Sequence, residues 1–333
     1  MQRVVVLATG GTIASRGAGV GGAVAEVPGE QLLASIDPPV GVRLEVEQFL
    51  QVNSFNLTIA QLAQCAARTR ELLADPAVRG VVITHGTDTM EETGLFLDLF
   101  LDSGKPVVLT GAQRTADAED GDGARNLQDA ITVAADVGAA GLGVVIVFDG
   151  RVWAAPGTRK TQTLASAAFS APAGPLGTIV AGGVRVERRP VHPSRFDLDR
   201  FAADDVRVDI VAAYPGVDTV ALDAVVAAKC RGVVVEGTGV GNAGQRLTTA
   251  LVALLRDGMP VVLSTRVADG PTAAIYGGGG GADLVAAGAL LGGTYRAPQL
   301  RILLIAALGT TDSDDAARLA VAAHLAHASM NGR

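Results

Sequence analysis

Two segments of the chain place threonine hydroxyls beside glycine, directly after short runs of apolar residues. Thr9–Ile13 (TGGTI) follows the first of these runs, and Thr84–Thr89 (THGTDT) follows a later one. Glycine lets backbone N–H groups come close to a substrate or an oxyanion, and Thr12 presents a hydroxyl into the same space. Thr87 adds a second hydroxyl, with the carboxylate of Asp88 beside it. The two segments together predict a binding site equipped with hydroxyl groups.

Each segment also has a plainer interpretation. Thr9–Ile13 can be a glycine-rich turn without chemistry. Thr87 and Asp88 can cap the helix predicted to follow them, which is a common role for both residue types. Capping explains either residue, but it does not explain the pair next to a second Gly-Thr strand end.

The two segments lie within an alternation of apolar strands and amphipathic helices. This alternation is typical of a parallel sheet covered by helices. In the first half of the chain, the predicted strands are Arg3–Ala8, Val42–Val52, Gly80–Thr84, Pro106–Thr110 and Val144–Phe148, and the helices are Thr58–Ala74, Thr89–Asp102 and Ala124–Val137. In the second half, the predicted strands are Val208–Ala213, Arg231–Glu236 and Pro260–Ser264, and the helices are Asp218–Ala228, Gln245–Asp257, Leu300–Ala307 and Asp315–Ala326. In a doubly wound sheet, ligands bind outside the carboxyl ends of the strands, where both threonine segments fall.

The charged and proline-containing stretch Arg185–Arg207 interrupts this alternation and is interpreted as a connector. We therefore predict two α/β domains. A larger N-terminal domain over residues 1–189 has a mostly parallel, doubly wound sheet flanked by helices. After a linker over residues 190–207, a smaller C-terminal α/β domain covers residues 208–333.

Composition excludes several classes of protein. The 333 residues are 49% hydrophobic and 18% charged, which does not fit a disordered chain. The net charge is −7 and there is no basic run, so we predict no nucleic-acid partner. The longest uncharged run, residues 161–184, contains prolines, glycines and hydroxyls and is not predicted to span a membrane. Cys65 and Cys230 are interpreted as two buried thiols rather than a disulfide framework or a metal site. These features predict a cytoplasmic protein.

Five motifs resemble those of the bacterial-type L-asparaginase family, whose members are two-domain amidohydrolases. They are TGGTIA at Thr9–Ala14, ITHGTDTMEET at Ile83–Thr93, LTGAQR at Leu109–Arg114, DGARNL at Asp122–Leu127 and TRKTQT at Thr158–Thr163. The resemblance covers essentially the whole chain and is strongest over residues 1–165. It implies hydrolysis of a side-chain amide to a carboxylate and ammonia, without a metal or cofactor. It also implies a homotetramer built as a dimer of dimers, in which the C-terminal domain contributes to the subunit interface.

The resemblance also implies residue roles. Thr12 is the expected nucleophile and forms an acyl-enzyme ester, while Thr87, Asp88 and Lys160 form a second hydroxyl–acid–amine cluster that activates water and moves protons. Lys160 could alternatively be an ordinary surface charge. The expected substrate-binding residues in the N-terminal half are Gly11, Ser54, Phe55, Gly86 and Ala112. Backbone N–H groups of Gly11, Thr87 or Ala112 would meet the oxyanion or the substrate carboxylate, and Ser54 would hold the α-carboxylate.

The chain departs from the family pattern at two places. Phe55 stands where the family often has a glutamine that helps to bind the α-amino group. The segment Ser15–Val27, which corresponds to a mobile lid, lacks the tyrosine that the family usually has there. We put forward the hypothesis that Tyr276 of a neighbouring subunit replaces this tyrosine, the alternative being that Tyr276 only packs at an interface.

Other patterns are weaker. Gly239–Gly244 fits the dinucleotide fingerprint G-x-G-x-x-G, but the acid expected at the end of the next strand is missing. In the family this loop meets the neighbour's site, so Asn242 is a candidate substrate contact. The acidic loop around Asp117–Asp122 lacks the spacing of an EF-hand, and we interpret it as solvated rather than as a calcium site. No metal ligand set is predicted from His85, His192, His324 and His327.

The function that these patterns favour is L-asparagine amidohydrolase, giving L-aspartate and ammonia through a threonine acyl-enzyme. The alternatives are a glutaminase-asparaginase of mixed specificity, the amidase half of an amidotransferase, and a non-catalytic asparagine or aspartate sensor on the same fold. A nicotinamide-dependent oxidoreductase is a further alternative from a different class.

Overall fold

The computed structural model describes residues 2–16, 24–25, 29–33, 36–102 and 104–331. The chain divides into two compact units, Met1–Pro190 and Val191–Arg333. Both are α/β, so the predicted fold class is confirmed, with a larger and mostly parallel sheet in the first unit. The stretch interpreted as a connector is divided between the two units: residues 185–190 belong to the first, and residues 191–207 belong to the second, where Phe201 packs on Gly309 and Phe196 stacks on His324.

The first unit is built on an eight-stranded sheet with the strand order β12-β11-β8-β7-β6-β5-β1-β4. Strands β7, β6, β5, β1 and β4 are parallel, whereas β8, β11 and β12 continue the sheet in antiparallel pairs. The strands of this sheet are β1 (Gln2–Gly10), β4 (Val42–Val52), β5 (Val78–Thr84), β6 (Val107–Thr110), β7 (Val144–Phe148), β8 (Arg151–Ala154), β11 (Gly177–Val180) and β12 (Gly183–Val186).

Two small antiparallel pairs and four helices complete this unit. The pairs are β2 (Ser15–Arg16) with β3 (Val24–Ala25), and β9 (Arg159–Lys160) with β10 (Phe169–Ser170). The helices are α1 (Gly29–Leu32), α2 (Ile59–Ala74), α3 (Met90–Phe100) and α4 (Gly123–Ala135). Strands β8 to β12 of this unit are not among the predicted strands, because they are two to four residues long and lie among glycines and prolines, where no alternation can be recognised.

Local sequence explains the helices that matter for the site. Helix α2 begins after Thr58, whose side chain accepts from the backbone N–H of Gln61 in a complete capping box, as predicted for this N-cap. Helix α3 is buried along almost its whole length, and α4 packs its apolar face on the sheet. The core beneath α4 contains aliphatic side chains from the strands, among them Val6, Val82 and Val108.

The second unit has a four-stranded parallel sheet in the order β13-β14-β15-β16. Its elements are β13 (Val208–Ala212), α5 (Val220–Ala227), β14 (Gly232–Gly237), α6 (Gln245–Arg256), β15 (Val261–Thr265), α7 (Gly281–Ala286), β16 (Leu290–Leu291), α8 (Ala297–Thr310) and α9 (Asp314–Asn331). Helix α8 is apolar on all sides, and it is buried against the sheet on one side and α9 on the other.

Two further observations concern the sequence predictions. Cys65 and Cys230 are both free and buried, as expected, and burial raises the pKa of Cys65 to about 12. Within the described part of the chain, no helix combines the length and the apolar character needed to cross a bilayer.

Candidate active site

The two threonine segments leave adjacent strands at the point where the strand order reverses. Strand β1 lies between β4 and β5, and it is parallel to both, so the carboxyl ends of the three strands meet at one edge of the sheet. Such a reversal opens a crevice in which doubly wound proteins bind their ligands. The residues that follow the three strands carry Thr12, Ser54 and Thr87.

Close backbone contact between the strand ends requires glycine at two positions. A Cβ atom on Gly11, which has a φ of +84°, would lie only 2.6 Å from Gly86 Cα. A Cβ on Gly86 would lie 2.6 Å from Ser54 Oγ. The two glycines therefore let the three strand ends touch. Thr12 directly follows Gly11 and Thr87 directly follows Gly86, so the contact between the glycines sets the relative position of the two threonines.

The predicted nucleophile occupies the first turn after β1. Thr12 begins a short 3₁₀ turn, Thr12–Ala14, and is half-buried, whereas Ile13 beside it is buried in the core. Ile13 and Ala112, which follows β6, belong to the same buried cluster, and this burial anchors the turn. The Thr12 side chain is thus held at the crevice by its buried neighbour.

The predicted hydroxyl–acid–amine cluster is present in the structure. Lys160 Nζ donates one hydrogen bond to Thr87 Oγ1 at 2.8 Å and another to Asp88 Oδ1 at 2.8 Å. The Thr87 side chain is buried, and its hydroxyl bonds to other side chains rather than to the helix backbone, so capping does not explain it. Lys160 is therefore not an ordinary surface charge, because its ammonium is directed at Thr87 and Asp88.

Buried polar residues support this cluster from behind. Glu91 Oε2 accepts from the Lys160 backbone N–H at 2.6 Å. Burial raises the pKa of Glu91 above its usual value, and this hydrogen bond offsets part of the shift. Asp122 accepts from the backbone N–H groups of Gln113 and Arg114 and from Asn126 Nδ2, which holds the loop after β6. The oxygens of Asp122 therefore serve to fix this loop of the protein.

Ser54 lies beside Gly86 at the strand ends, whereas the side chain of the next residue, Phe55, is directed to solvent. Ser54 is buried, and its carbonyl accepts a hydrogen bond from Thr89 Oγ1 at 2.9 Å. The side chain of Phe55 is 63% exposed and has no group that could bind an ammonium through hydrogen bonds. Ala112 is fully buried in the loop after β6, where it can offer only its backbone.

His85 is a buried residue of the site to which the sequence analysis assigned no role. Its Nδ1 lies 2.7 Å from Gly86 O and its Nε2 lies 2.9 Å from Thr93 Oγ1. A carbonyl can only accept, so Nδ1 carries the proton and Nε2 accepts from the threonine hydroxyl. Burial lowers the pKa of His85 to about 4, and the neutral ring holds the Gly86 carbonyl in place.

The buried histidine predicts a specific dependence of stability on pH. The unfolded chain takes up a proton near pH 6.5, whereas the folded chain takes it up only near pH 4. The free energy of unfolding should therefore fall by about 1.4 kcal/mol per pH unit as the pH drops from 6.5 to 4, and this contribution should level off below pH 4. Above pH 6.5 the residue contributes no pH dependence.

Urea unfolding of the wild type and of His85→Gln across this pH range measures the effect. The difference between the two proteins should change by about 3 kcal/mol over the range, since carboxylates such as Glu91 contribute equally to both. His327→Gln, on the last helix, is the matched control for the substitution, because His327 is only half-buried. A His85→Gln slope equal to that of the wild type would show that the ring is not held neutral.

Two expected binding residues lie in the C-terminal unit. Asn242 Oδ1 accepts from the backbone N–H of Gly281 at 3.0 Å and so secures the start of α7. The Tyr276 side chain is 58% exposed.

Most of the predicted lid, Ser15–Val27, lies outside the described residues. Within this segment the structure describes only residues 15–16 and 24–25, which form the β2–β3 pair.

The dinucleotide-like motif is occupied by the chain itself. Gly279 O accepts from Gly244 N at 2.9 Å and from Thr248 Oγ1 at 3.0 Å, so a carbonyl covers the start of α6. A bound pyrophosphate would need this place at the helix N-terminus. Among the described residues, no group of three or more His, Cys, Asp or Glu side chains could hold a metal ion.

The sequence motifs contain further site residues whose roles were not predicted. Gln113, Glu91 and Asn126 lie within the quoted LTGAQR, ITHGTDTMEET and DGARNL motifs, and each follows a strand end or begins the next helix. Their position in these motifs was a usable signal. Apart from Asp122, four residues before Asn126, their partners were not predictable, since these lie at distant places in the sequence.

The Thr12 hydroxyl lies at the point where the strand order reverses, next to a second hydroxyl that is bound to an ammonium–carboxylate pair. This arrangement suits a hydrolase that works by acyl transfer. Comparison with known proteins identifies the family. A family model described as "Asparaginase, N-terminal" matches residues 3–192, and one described as "Glutaminase/Asparaginase C-terminal domain" matches residues 207–320. The chain therefore belongs to the asparaginase family and is an amidohydrolase.

Individual relatives cover most of the chain. A "Probable L-asparaginase" of Deinococcus radiodurans is 36% identical over 318 residues, 92% of this chain and 93% of the relative. A "Glutaminase-asparaginase" of Pseudomonas aeruginosa is 35% identical over 276 residues, 80% of this chain and 76% of the relative. The crystal structure of a "Probable Cytoplasmic L-asparaginase" from Campylobacter jejuni superposes with a TM-score of 0.86 at 31% identity, covering 96% of this chain and 99% of that one.

Proposed function

We propose that the protein hydrolyses the side-chain amide of L-asparagine to L-aspartate and ammonia, with Thr12 as nucleophile. The observation that carries the proposal is the bonding of Lys160 Nζ to Thr87 Oγ1 and Asp88 Oδ1, beside the strand end that bears Thr12. A binding protein has no need of an ammonium directed at a buried hydroxyl. The names of the Deinococcus and Campylobacter relatives support the same substrate.

The proposed reaction has two steps. In the first, Thr12 Oγ attacks the amide carbon, the C–N bond breaks, and the hydroxyl proton ends on the departing ammonia. The negative charge on the carbonyl oxygen is stabilised by backbone N–H groups of the Gly11 and Ala112 loops. In the second, water attacks the ester, and one of its protons returns to Thr12 Oγ as L-aspartate leaves.

Thr87, Asp88 and Lys160 are assigned to proton movement in these steps. Asp88 accepts one hydrogen bond of the ammonium and Thr87 accepts another, so the amine is oriented by two partners. Lys160 Nζ donates to Thr87 Oγ1 over a 2.8 Å contact, so the ammonium can supply a proton to this oxygen whenever the hydroxyl gives up its own. Asp88 balances the positive charge, although its side chain is 55% exposed and solvent weakens the ion pair.

Ammonia release tests the proposal directly. The wild type should release ammonia from L-asparagine, and matched concentrations of L-glutamine measure whether the enzyme has mixed specificity. The second specificity has support from the name of the Pseudomonas relative. Binding of L-asparagine without any ammonia from either amide would contradict the proposal and favour the sensor.

The proposal includes an oligomer in which Tyr276 of a neighbouring subunit replaces the missing lid tyrosine. Large apolar side chains that lie in loops of the C-terminal unit, namely Tyr214, Ile275 and Tyr276, are more than half exposed, which suits a surface that another copy covers. We propose a homotetramer, and analytical ultracentrifugation measures its mass. A monomer at catalytic concentration would contradict both the assembly and the role of Tyr276.

Substitution of Tyr276 by phenylalanine isolates its hydroxyl. We expect kcat to fall by at least about 10²-fold, which is the scale of a lost proton-transfer group. Tyr214→Phe is a matched control, because Tyr214 is 53% exposed and lies in the same unit. If kcat of Tyr276→Phe equalled that of Tyr214→Phe, Tyr276 would be only a packing residue.

A cytoplasmic location is also part of the proposal. It is supported by the description of the Campylobacter relative as cytoplasmic, whereas a Haemophilus influenzae relative at 34% identity is described as periplasmic. Fractionation of cells of the source organism, with activity measured in each fraction, distinguishes the two locations.

A further inference from the structure

The side chain of Gln113 connects the Thr87 hydroxyl to the loop that carries Lys160. Gln113 Oε1 accepts from Thr87 Oγ1 at 3.0 Å. On its other side, Gln113 Nε2 donates to Thr163 O at 3.2 Å and to Ala165 O at 3.1 Å. These two carbonyls belong to the loop between β9 and β10, three and five residues after Lys160.

The orientation of this amide follows from its partners. Two backbone carbonyls lie on one side of the side chain, and a carbonyl can only accept, so the amide nitrogen must face them. The amide oxygen is therefore left facing Thr87. Since an amide oxygen can only accept, the single proton of the Thr87 hydroxyl is directed at Gln113.

The directions of the two lone pairs on Thr87 Oγ1 are then also determined. One lone pair accepts from Lys160 Nζ at 2.8 Å. With the proton and one lone pair committed, the second lone pair has a single direction available to it. Without Gln113, the hydroxyl could rotate about its C–O bond, and that lone pair would sample several directions.

We propose that Gln113 is a positioning residue that locks the Thr87 hydroxyl, so that Thr87 presents a fixed acceptor to the water that attacks the ester. The proposal rests on the function proposed above. Gln113 does not touch the reacting atoms itself and acts through Thr87. The backbone of Gln113 is held independently of its side chain, because the Gln113 N–H donates to Asp122 at 3.1 Å. Substitutions of the side chain should therefore leave the loop after β6 in place.

Substitution by methionine removes both functions of the amide at nearly constant volume. We expect Gln113→Met to lower kcat for L-asparagine by about 30-fold with KM changed less than about 3-fold, since orientation of a reacting group affects the chemical step more than binding. Gln128→Met is the matched control. Gln128 also bridges two backbone groups, accepting from Asp37 N and donating to Asp37 O, and Asp37 is not a residue of the site. The control should keep the kcat of the wild type.

A double-mutant cycle separates positioning from a purely structural role. If Gln113 acts through the Thr87 hydroxyl, Gln113→Met should change kcat by less than about 3-fold in a Thr87→Val background, because the hydroxyl is already gone. A 30-fold loss in both backgrounds would overturn the proposal and assign the effect to the tethered loop. A Gln113→Met enzyme with the kcat of the wild type would overturn it as well. In either case, ammonia release by the wild type would leave the proposed function standing.

Discussion

Replacement of Thr12 by valine is expected to lower kcat for L-asparagine by at least about 10³-fold, because loss of a catalytic nucleophile acts on this scale. Valine has the shape of threonine without the hydroxyl, so the half-buried turn after β1 should be kept. Ammonia release measures the loss. Binding of L-aspartate, measured by calorimetry, should change little and would show that the site is still formed.

Thr132→Val is the matched control for this experiment. Thr132 is also half-buried, and its hydroxyl donates only to Gln128 O within α4, far along the chain from either threonine segment. We expect its kcat to equal that of the wild type. A Thr12→Val enzyme that keeps more than about a tenth of the wild-type kcat would exclude Thr12 as the nucleophile.

The same chemistry predicts which threonine carries the acyl group. In a Thr87→Val variant, attack by Thr12 should continue while hydrolysis of the ester slows. Acid quenching of that variant during turnover, followed by peptide mass spectrometry, should find an aspartyl ester on the peptide that contains Thr12. An ester on the peptide that contains Thr87 in the wild type would reverse the two assignments.

The second large effect is expected for Gly11→Ala, which should lower kcat/KM by at least about 10²-fold, the cost of misplacing catalytic groups by about 1 Å. The new Cβ would overlap the backbone of Gly86, and backbone cannot move aside as the end of a flexible side chain can. The strand ends of β1 and β5 must therefore separate. Since Thr12 and Thr87 follow these strand ends, their relative position changes with them.

Gly150→Ala separates this overlap from simple backbone strain. Gly150 also has a positive φ, +72°, but a Cβ there would meet nothing within 4 Å. Both variants should lose about 1–2 kcal/mol of stability because alanine disfavours the left-handed region. Only Gly11→Ala should lose activity and further stability. Ammonia release measures the activity of each variant, and urea unfolding measures its stability. Equal activity in the two variants would show that the contact between the strand ends is not needed.

The two departures from the family pattern define what is distinctive about this enzyme. Phe55 is exposed and offers no hydrogen bond to the substrate amino group, so the affinity for L-asparagine must arise elsewhere, with Ser54 as the remaining candidate of that turn. The segment in place of the tyrosine-bearing lid has glycine and alanine instead. The role proposed for Tyr276 and the locking role proposed for Gln113 are two testable ways in which the chain performs proton transfer with a different set of residues.

Much of this protein follows from its sequence alone. The apolar runs and the amphipathic segments between them determine the parallel strands and helices, because burial on both faces of a sheet demands continuous apolar residues. The glycines and hydroxyls after β1 and β5 determine where the crevice is, since strand ends of a doubly wound sheet are the places left open to ligand. The resemblance over five motifs extended this to Thr12, Thr87, Asp88 and Lys160 as a set.

Only the tertiary structure decided how these residues act on one another. Lys160 and Thr87 are 73 residues apart, and the direction of the ammonium depends on a loop whose short strands leave no pattern in the sequence. The neutrality of His85 depends on complete burial, and the orientation of Gln113 depends on two carbonyls 50 and 52 residues away. Local sequence determines elements and candidate residues, whereas hydrogen-bond partners and burial are properties of distant segments brought together by packing.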